Sequence, residues 1–200
     1  MLKVGSYILG ALLLFAVVFA LLPVSSPRTQ TGATLEGVSL TLYPASDPDA
    51  FWKFEADQVV NDPLSGETHL SALKDGGRWV PEQSTNGQPT GKTVLDAGLT
   101  ADDLTIDRQD DMVTDSATIM LVKECAKVKL TGNDQQPVRV EQNVGFSAPL
   151  AELDSPAITG KVLDMKMTFG FEILESSDKS NFGWDMNATE QCVNGQRVPV

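Results

Sequence analysis

Histidine is almost missing from this chain: His69 is the single imidazole in 200 residues. With no second one, the paired motifs H-x-x-x-H and H-E-x-x-H are impossible, and a catalytic zinc site is not expected. A Ser–His–Asp relay needs one imidazole, but no G-x-S-x-G elbow accompanies it. His69, within Glu67-Thr68-His69-Leu70, reads as a surface or edge-strand residue. Basic side chains are also scarce, 15 Lys and Arg against 27 Asp and Glu. Lys3 and Arg28 fall in the leader, so residues 29–200 carry 13 basic and 27 acidic groups, net −14. That charge repels a phosphate backbone and an anionic membrane surface alike. Any lipid held by this domain is held by apolar contacts.

Other motifs fall short in countable ways. Gly87-Gln88-Pro89-Thr90-Gly91-Lys92-Thr93 is one residue too short for a phosphate loop, and no apolar strand leads into it. Asp107, Asp110, Asp111 and Asp115 lie close in sequence without a D-x-D-x-D-G pattern, so they read as a solvated turn. A calcium loop opening at Asp178 fails because its twelfth position is Thr189. Asn187-Ala188-Thr189 is a glycosylation sequon, relevant only in a host that modifies exported proteins.

One long apolar run is present, and it lies at the start. Lys3 precedes an uncharged stretch from Val4 to Ser26, of which Val4–Leu22 is almost wholly apolar. A helix needs about 20 such residues to cross a bilayer. A cleaved signal peptide is the competing reading, with an apolar region of about 7–15 residues. The longer run, the mediocre site Val24-Ser25-Ser26 and the lack of a lipobox cysteine favour residues 1–28 as an anchor. A cytoplasmic N-terminus follows from Lys3, although Arg28 weakens the bias. On either reading the rest is exported. Cys125 and Cys192 then meet an oxidising compartment, where a disulfide competes with two buried thiols.

Residues 29–35 read as a polar linker, and beyond it no helical apolar stripe occurs. Alternation dominates instead. Val38, Leu40 and Leu42 share one face; Trp52, Phe54 and Ala56 another; Leu104 and Ile106 a third. Asn61–Gly66, Gly76-Gly77, Gln83–Thr93 and Gln109–Asp111 read as turns or loops. Two long strands are expected. The first carries Met120, Val122, Ala126, Val128 and Leu130 on one face, interrupted by Glu124, with Lys123, Cys125, Lys127 and Lys129 on the other. The second runs from about Ile158 to Leu174, with Leu163, Met165, Met167, Phe169, Phe171 and Ile173 facing one way. Val138, Val140, Val144 and Phe146 alternate between them. The fold class expected is all-β: an antiparallel sandwich, jelly roll or open barrel.

Three stretches carry a family likeness. They are Val38–Tyr43 followed by Phe51-Trp52-Lys53-Phe54-Glu55-Ala56-Asp57, then Asp103–Asp107, then Ile158–Met165. With the leader, their order resembles the LptC family, the membrane-anchored periplasmic component of lipopolysaccharide export. The likeness spans roughly residues 36–175. It implies a twisted OstA-like β-jelly roll over residues 36–200, with an extension from about 176. It implies inner-membrane localisation with the domain in the periplasm. The partners implied are an inner-membrane ABC transporter that hands over lipid and a periplasmic bridge protein of the same fold. No chemistry and no cofactor belong to that role. The lipid-holding face would comprise Leu40, Leu42, Trp52, Phe54, Leu104, Ile106, Met120, Val122, Val138, Val140, Leu163, Met165, Met167, Phe169 and Phe171. Methionine adapts to flexible chains, which suits such a face. The cysteines, the loop Gln83–Thr93 and the tail from Ser176 depart from the family. The alternative is an anchored structural β-sandwich acting through protein contacts alone. An exported enzyme is a third reading.

Overall fold

The structure, a computed structural model, describes residues 34–185 and 187–200. The anchor and most of the linker lie outside the described residues. Among the described residues the protein is all-β, in a barrel- or sandwich-like arrangement. In chain order the strands are β1 (Thr34–Leu42), β2 (Phe51–Asp62), β3 (Glu67–Gln83), β4 (Pro89–Thr100), β5 (Asp103–Ile106), β6 (Met112–Thr114), β7 (Ser116–Leu121) and β8 (Ala126–Thr131). There follow β9 (Val138–Glu141), β10 (Gly145–Asp154), β11 (Ile158–Thr168), β12 (Ile173–Glu175), β13 (Asn181–Trp184), β14 (Glu190–Val193) and β15 (Gln196–Pro199).

Every pairing is antiparallel, and the chain runs as a meander whose long strands bend midway. β3 shows the plan: its C-terminal half pairs with β4 and its N-terminal half with β5. β10 does the same on the far side, pairing with β9 and then β8. The sheet therefore has two limbs. One holds β4, β7 and β8; the other holds β5, β6 and β9; β2, β3, β10 and β11 run through both. The inward side chains of both limbs merge into one core.

The bend has a signature in the burial pattern. A flat strand alternates strictly, with period two. Here the alternation slips, leaving two consecutive residues not turned inward at Asp57-Gln58, Ser71-Ala72, Asp102-Asp103, Asp115-Ser116, Pro149-Leu150 and Leu163-Asp164, while β3 slips a second time at Lys74-Asp75. The register aligns these slips across neighbours, for example Gln58↔Ser71↔Asp103 and Leu150↔Leu163. They form a crease. Ala72 (φ 52°) and Asp164 (φ 49°) take left-handed backbone there, and the Ala72 N–H leaves its own ladder to donate to Asp102 O at 2.6 Å.

Several expectations change. Residues 120–130 are not one strand: the turn Val122–Cys125 separates β7 from β8, closed by Cys125 N–H to Val122 O at 3.3 Å. Ile119 and Leu121 consequently face the core while Met120 points outward. The strand expected to Leu174 ends at Thr168, where Phe171 N–H turns back onto Thr168 O. Its face is also broken at the crease, so Leu163 is only half-buried and Val162 takes the inward place. Gly76-Gly77 lies inside β3 rather than in a loop: a Cβ on Gly76 would stand 2.5 Å from Leu99 O, so packing and not turning requires glycine. Most of Gln83–Thr93 is a hairpin, with β4 starting at Pro89.

Cys125 and Cys192 are disulfide-bonded. The bond pins the β14–β15 hairpin, which pairs only with itself, against the β7–β8 turn. Arg197 adds to it, donating from Nη1 to Asp154 Oδ1 (3.0 Å) and from Nε to Cys125 O (3.2 Å). The tail covers the outer edge of β11 with β12 and β13. The outer edge of β1 has no strand beside it among the described residues.

Candidate functional site

The interior of the folded sheet is closed at its centre. Trp52, Phe54, Leu104, Ile106, Val138, Val140, Met165 and Met167 are all buried, Met165 to 1% exposure and Met167 to 0%. Both methionines are packed core, not an open groove. Trp52 and Phe54 stack with centroids 5.7 Å apart, and Phe169 meets the Trp52 edge at 6.0 Å.

The limbs are tied together by polar groups. The indole of Trp52 donates to Gln142 Oε1 at 2.7 Å, and Gln142 Nε2 donates to Asp110 O at 2.6 Å. Gln142 is 1% exposed, so each of these bonds removes an unsatisfied buried group. Asp111 Oδ1 accepts from the Gln142 N–H at 3.2 Å. Burial pushes the Asp111 carboxyl above its usual range, opposed by that N–H and reinforced by Asp107 and Glu141. At a nearby rim, Arg78 bridges Asp47 (2.7 Å) and Asp96, and its guanidinium sits 4.5 Å above the Phe169 ring. Lys123 also reaches Asp96, at 3.1 Å.

An opening remains at the β1 end. Leu40 and Leu42 of β1 face Thr68 of β3, Ile106 of β5 and the turn that follows it, around a cleft of about 380 Å³. The register explains the inward turn of these leucines, since Leu40 pairs with Phe54 and Leu42 with Trp52. Val38, Leu40 and Leu42 are half-buried against the core because β1 is the last strand of its limb. Arg108 marks the rim. Its guanidinium donates to the carbonyls of Ser65 and of Leu64, the latter at 2.6 Å. A Cβ on Gly66 would lie 2.8 Å from Arg108 Nε, so the turn must carry glycine for Arg108 to lie across it. Asp107 holds the same turn, its Oδ1 accepting from the N–H groups of Gln109 (2.8 Å) and Asp111 (3.1 Å).

Of the residues expected to form an apolar ligand face, Leu40, Leu42 and Ile106 line this cleft, with Trp52 and Phe54 behind them. Leu104, Val138, Val140, Met165 and Met167 lie deeper in the closed core. Phe169 and Phe171 stand half-buried in the turn after β11. Met120, 41% exposed, is on the outer face, and Val122 is in the turn beneath Gly195. Gln142, Arg78 and Arg108 carry the polar framework and were not legible as site residues. Their partners lie 31 or more residues away for Gln142 and Arg108, and 18 or more for Arg78.

His69 makes a 2.9 Å hydrogen bond with Thr105 and approaches Glu67 at 3.6 Å. Among the described residues no group of three or more His, Cys, Asp or Glu is arranged so that it could hold a metal ion. No protein-family model matches the chain, and no curated protein matches it.

Proposed function

We propose that this protein is a non-enzymatic lipid carrier of the cell envelope, held at the inner membrane by residues 1–28, with its β-domain in the periplasm. The observation that carries this reading is the cleft at the β1 end, which has an apolar side and a polar rim that includes Asp107, Arg108 and Asp110. Leu40, Leu42 and Ile106 line it, and the β1 edge beside it has no partner strand among the described residues. A volume of about 380 Å³ lies within the ~300–1,000 Å³ typical of small-molecule sites. It suits one end of an acyl chain, held in the mouth of a jelly roll of the OstA-like kind. The bent meander of long antiparallel strands supports that family likeness, as does the inward placing of Trp52 and Phe54. In this reading an ABC transporter supplies a glycolipid such as lipopolysaccharide, and a bridge protein of the same fold receives it. The transfer runs along the free β1 edge by strand addition.

A second reading is a structural envelope protein acting through protein contacts alone. The closed centre favours it, since Met165 and Met167 are fully packed in the core rather than exposed along a groove.

One experiment separates the two. A photo-crosslinking amino acid is placed at Leu42, and for comparison at Trp184 on the exposed face of β13, in the full chain within its own host's envelope. Lipid cross-linked from position 42 and not from 184 supports the carrier. Absence of lipid at both positions, with Leu42→Glu leaving envelope lipid transport unchanged, refutes it and leaves the structural reading.

A further inference from the structure

The outward side of the β4–β7–β8 limb carries a second concavity, separate from the cleft at β1. Its floor is where the register aligns Gly77, Gly98, Met120 and Lys127 across β3, β4, β7 and β8. The trough measures about 630 Å³. Glycine inside a strand costs stability and commonly marks close approach by a ligand or another backbone.

The two floor glycines differ in what requires them. A Cβ on Gly77 would stand 2.7 Å from Leu95 Cδ1 and 3.3 Å from Trp79 Nε1, so a side chain there would displace the two walls of the trough. A Cβ on Gly98 would meet only Met120 Cβ at 3.6 Å and Gly76 O at 3.9 Å, both ordinary contacts. Gly98 also lacks a left-handed φ. Neither conformation nor packing explains a glycine there. What its missing side chain does is keep the trough open.

The walls are amphipathic. Leu95 and Met120 are exposed apolar residues. The Trp79 indole presents its Nε1 edge over Gly77, 3.3 Å from where a Cβ would stand. Thr100, Thr118, Asp75 and Lys127 add polar groups to the lining. Neither the Trp79 indole N–H nor any of these four side chains engages in a side-chain hydrogen bond or ion pair among the described residues. An acyl chain lying here would strip water from all of them without replacing it. An added peptide strand would find the backbone groups of β3 and β4 already used by their own ladder, and strand addition needs a free edge. A saccharide fits both requirements. Its C–H faces lie on apolar side chains and bare backbone, and its hydroxyls accept from the indole N–H and the ammonium and donate to the carboxylate. One cation and one anion leave the site without a charge preference.

We propose that this trough is a binding site for a neutral saccharide, independent of the lipid reading.

The test uses the full isotope-labelled chain in micelles whose detergent carries no sugar. Cellotetraose, maltotetraose and chitotetraose are titrated to millimolar concentration, with decylphosphocholine and an unrelated extended decapeptide as comparisons. The expected result is a saturable shift of the Gly76, Gly77 and Gly98 amides and the Trp79 indole N–H with at least one saccharide. Gly98→Val weakens that binding at least tenfold while its melting temperature stays equal or rises. Gly98→Ala is the second variant and behaves the same way in smaller degree. No shift with any saccharide, a response to the lipid or the peptide instead, or Gly98→Val binding with unchanged affinity each overturns the proposal. Because the trough and the β1 cleft share no residues, failure here leaves the lipid reading standing.

Discussion

Replacing Cys192 by serine tests how the tail is held. The disulfide joins residues 67 apart in sequence. Cross-linking a loop of that length removes chain entropy from the unfolded state worth about 4 kcal/mol in the loop-closure treatment. For a domain of this size each kcal/mol moves the melting temperature by about 2–4 °C, so the variant should melt about 10 °C lower. The structure adds a local consequence. Among the described residues the β14–β15 hairpin has no strand pairing with the main sheet. Without the bond it is held chiefly by Arg197 on Asp154 and Cys125. Cleavage within residues 190–200 should therefore rise at temperatures where the sheet is still intact. The assay is a far-ultraviolet thermal melt with and without reductant, paired with limited proteolysis. Reductant should lower the melting temperature of the native chain by the same amount and leave the variant unmoved. A shift below about 2 °C, or a variant still sensitive to reductant, would refute the reasoning.

Three further outcomes follow from burial and charge. Met167→Ala should cost about 2–5 kcal/mol as a fully buried truncation, whereas Met120→Ala on the outer face should stay within about 0.5 kcal/mol; chemical denaturation of the pair measures both. Arg78→Ala should cost about 3 kcal/mol, because Asp47 and Asp96 lose the cation between them while Lys123 still offsets part of the charge; the same denaturation assay reads it. Glu124 is held above the ordinary carboxylate value of 4.5 by burial, against the pull of its own backbone N–H and of Lys123. A raised acid pKa means the folded state keeps the proton longer, so folding is penalised above the raised value and relieved as pH falls below 4.5. Glu124→Gln should thus raise the melting temperature at neutral pH and give no gain well below 4.5; an equal gain at both would refute the assignment.

Period-two alternation made the strands legible, because a half-buried strand must present apolar residues to one side only. Trp52 with Phe54, Val138 with Val140, and Met165 with Met167 all turned inward as that rule requires. The rule could not show where a sheet folds on itself, since the slip uses Asp57, Ala72 and Asp164 rather than glycine. The Val122–Cys125 turn was hidden for a related reason: Val-Lys-Glu-Cys contains no turn former, and Cys125 itself takes the left-handed conformation (φ 50°). The Gly76-Gly77 pair misled in the opposite direction, because glycine demanded by close packing reads like glycine demanded by a turn. The site was only partly legible. Leu40, Leu42 and Ile106 belonged to the apolar pattern, but their separation from the rest depends on β1 being an edge. Gln142 and Arg78 act through partners far along the chain, which no local pattern encodes.

The crease itself is open to a test in which the sign of an ordinary expectation reverses. Ala72 is exposed and lies within β3. At a regular exposed strand position, alanine to valine is favourable by up to about 1 kcal/mol, because a branched side chain suits a pleated surface. Ala72 instead has φ 52°, a conformation that costs an L-residue about 1–2 kcal/mol and a β-branched one more. Ala72→Val should therefore destabilise by about 1–2 kcal/mol and lower the melting temperature by several degrees. Ala72→Gly should be close to neutral, since relief of the left-handed backbone is offset by the greater freedom of glycine in the unfolded chain. Lys129→Val, at an exposed position of β8 in unbroken register and without a left-handed φ, is the control and should be neutral or stabilising. If Ala72→Val matched that control, the strand would be running straight through position 72. The limbs would then not face each other, and Leu40 and Leu42 could not share a cleft with Ile106. The cleft geometry behind the functional proposal thus depends on a backbone angle at an alanine, and a thermal melt of three variants tests that angle.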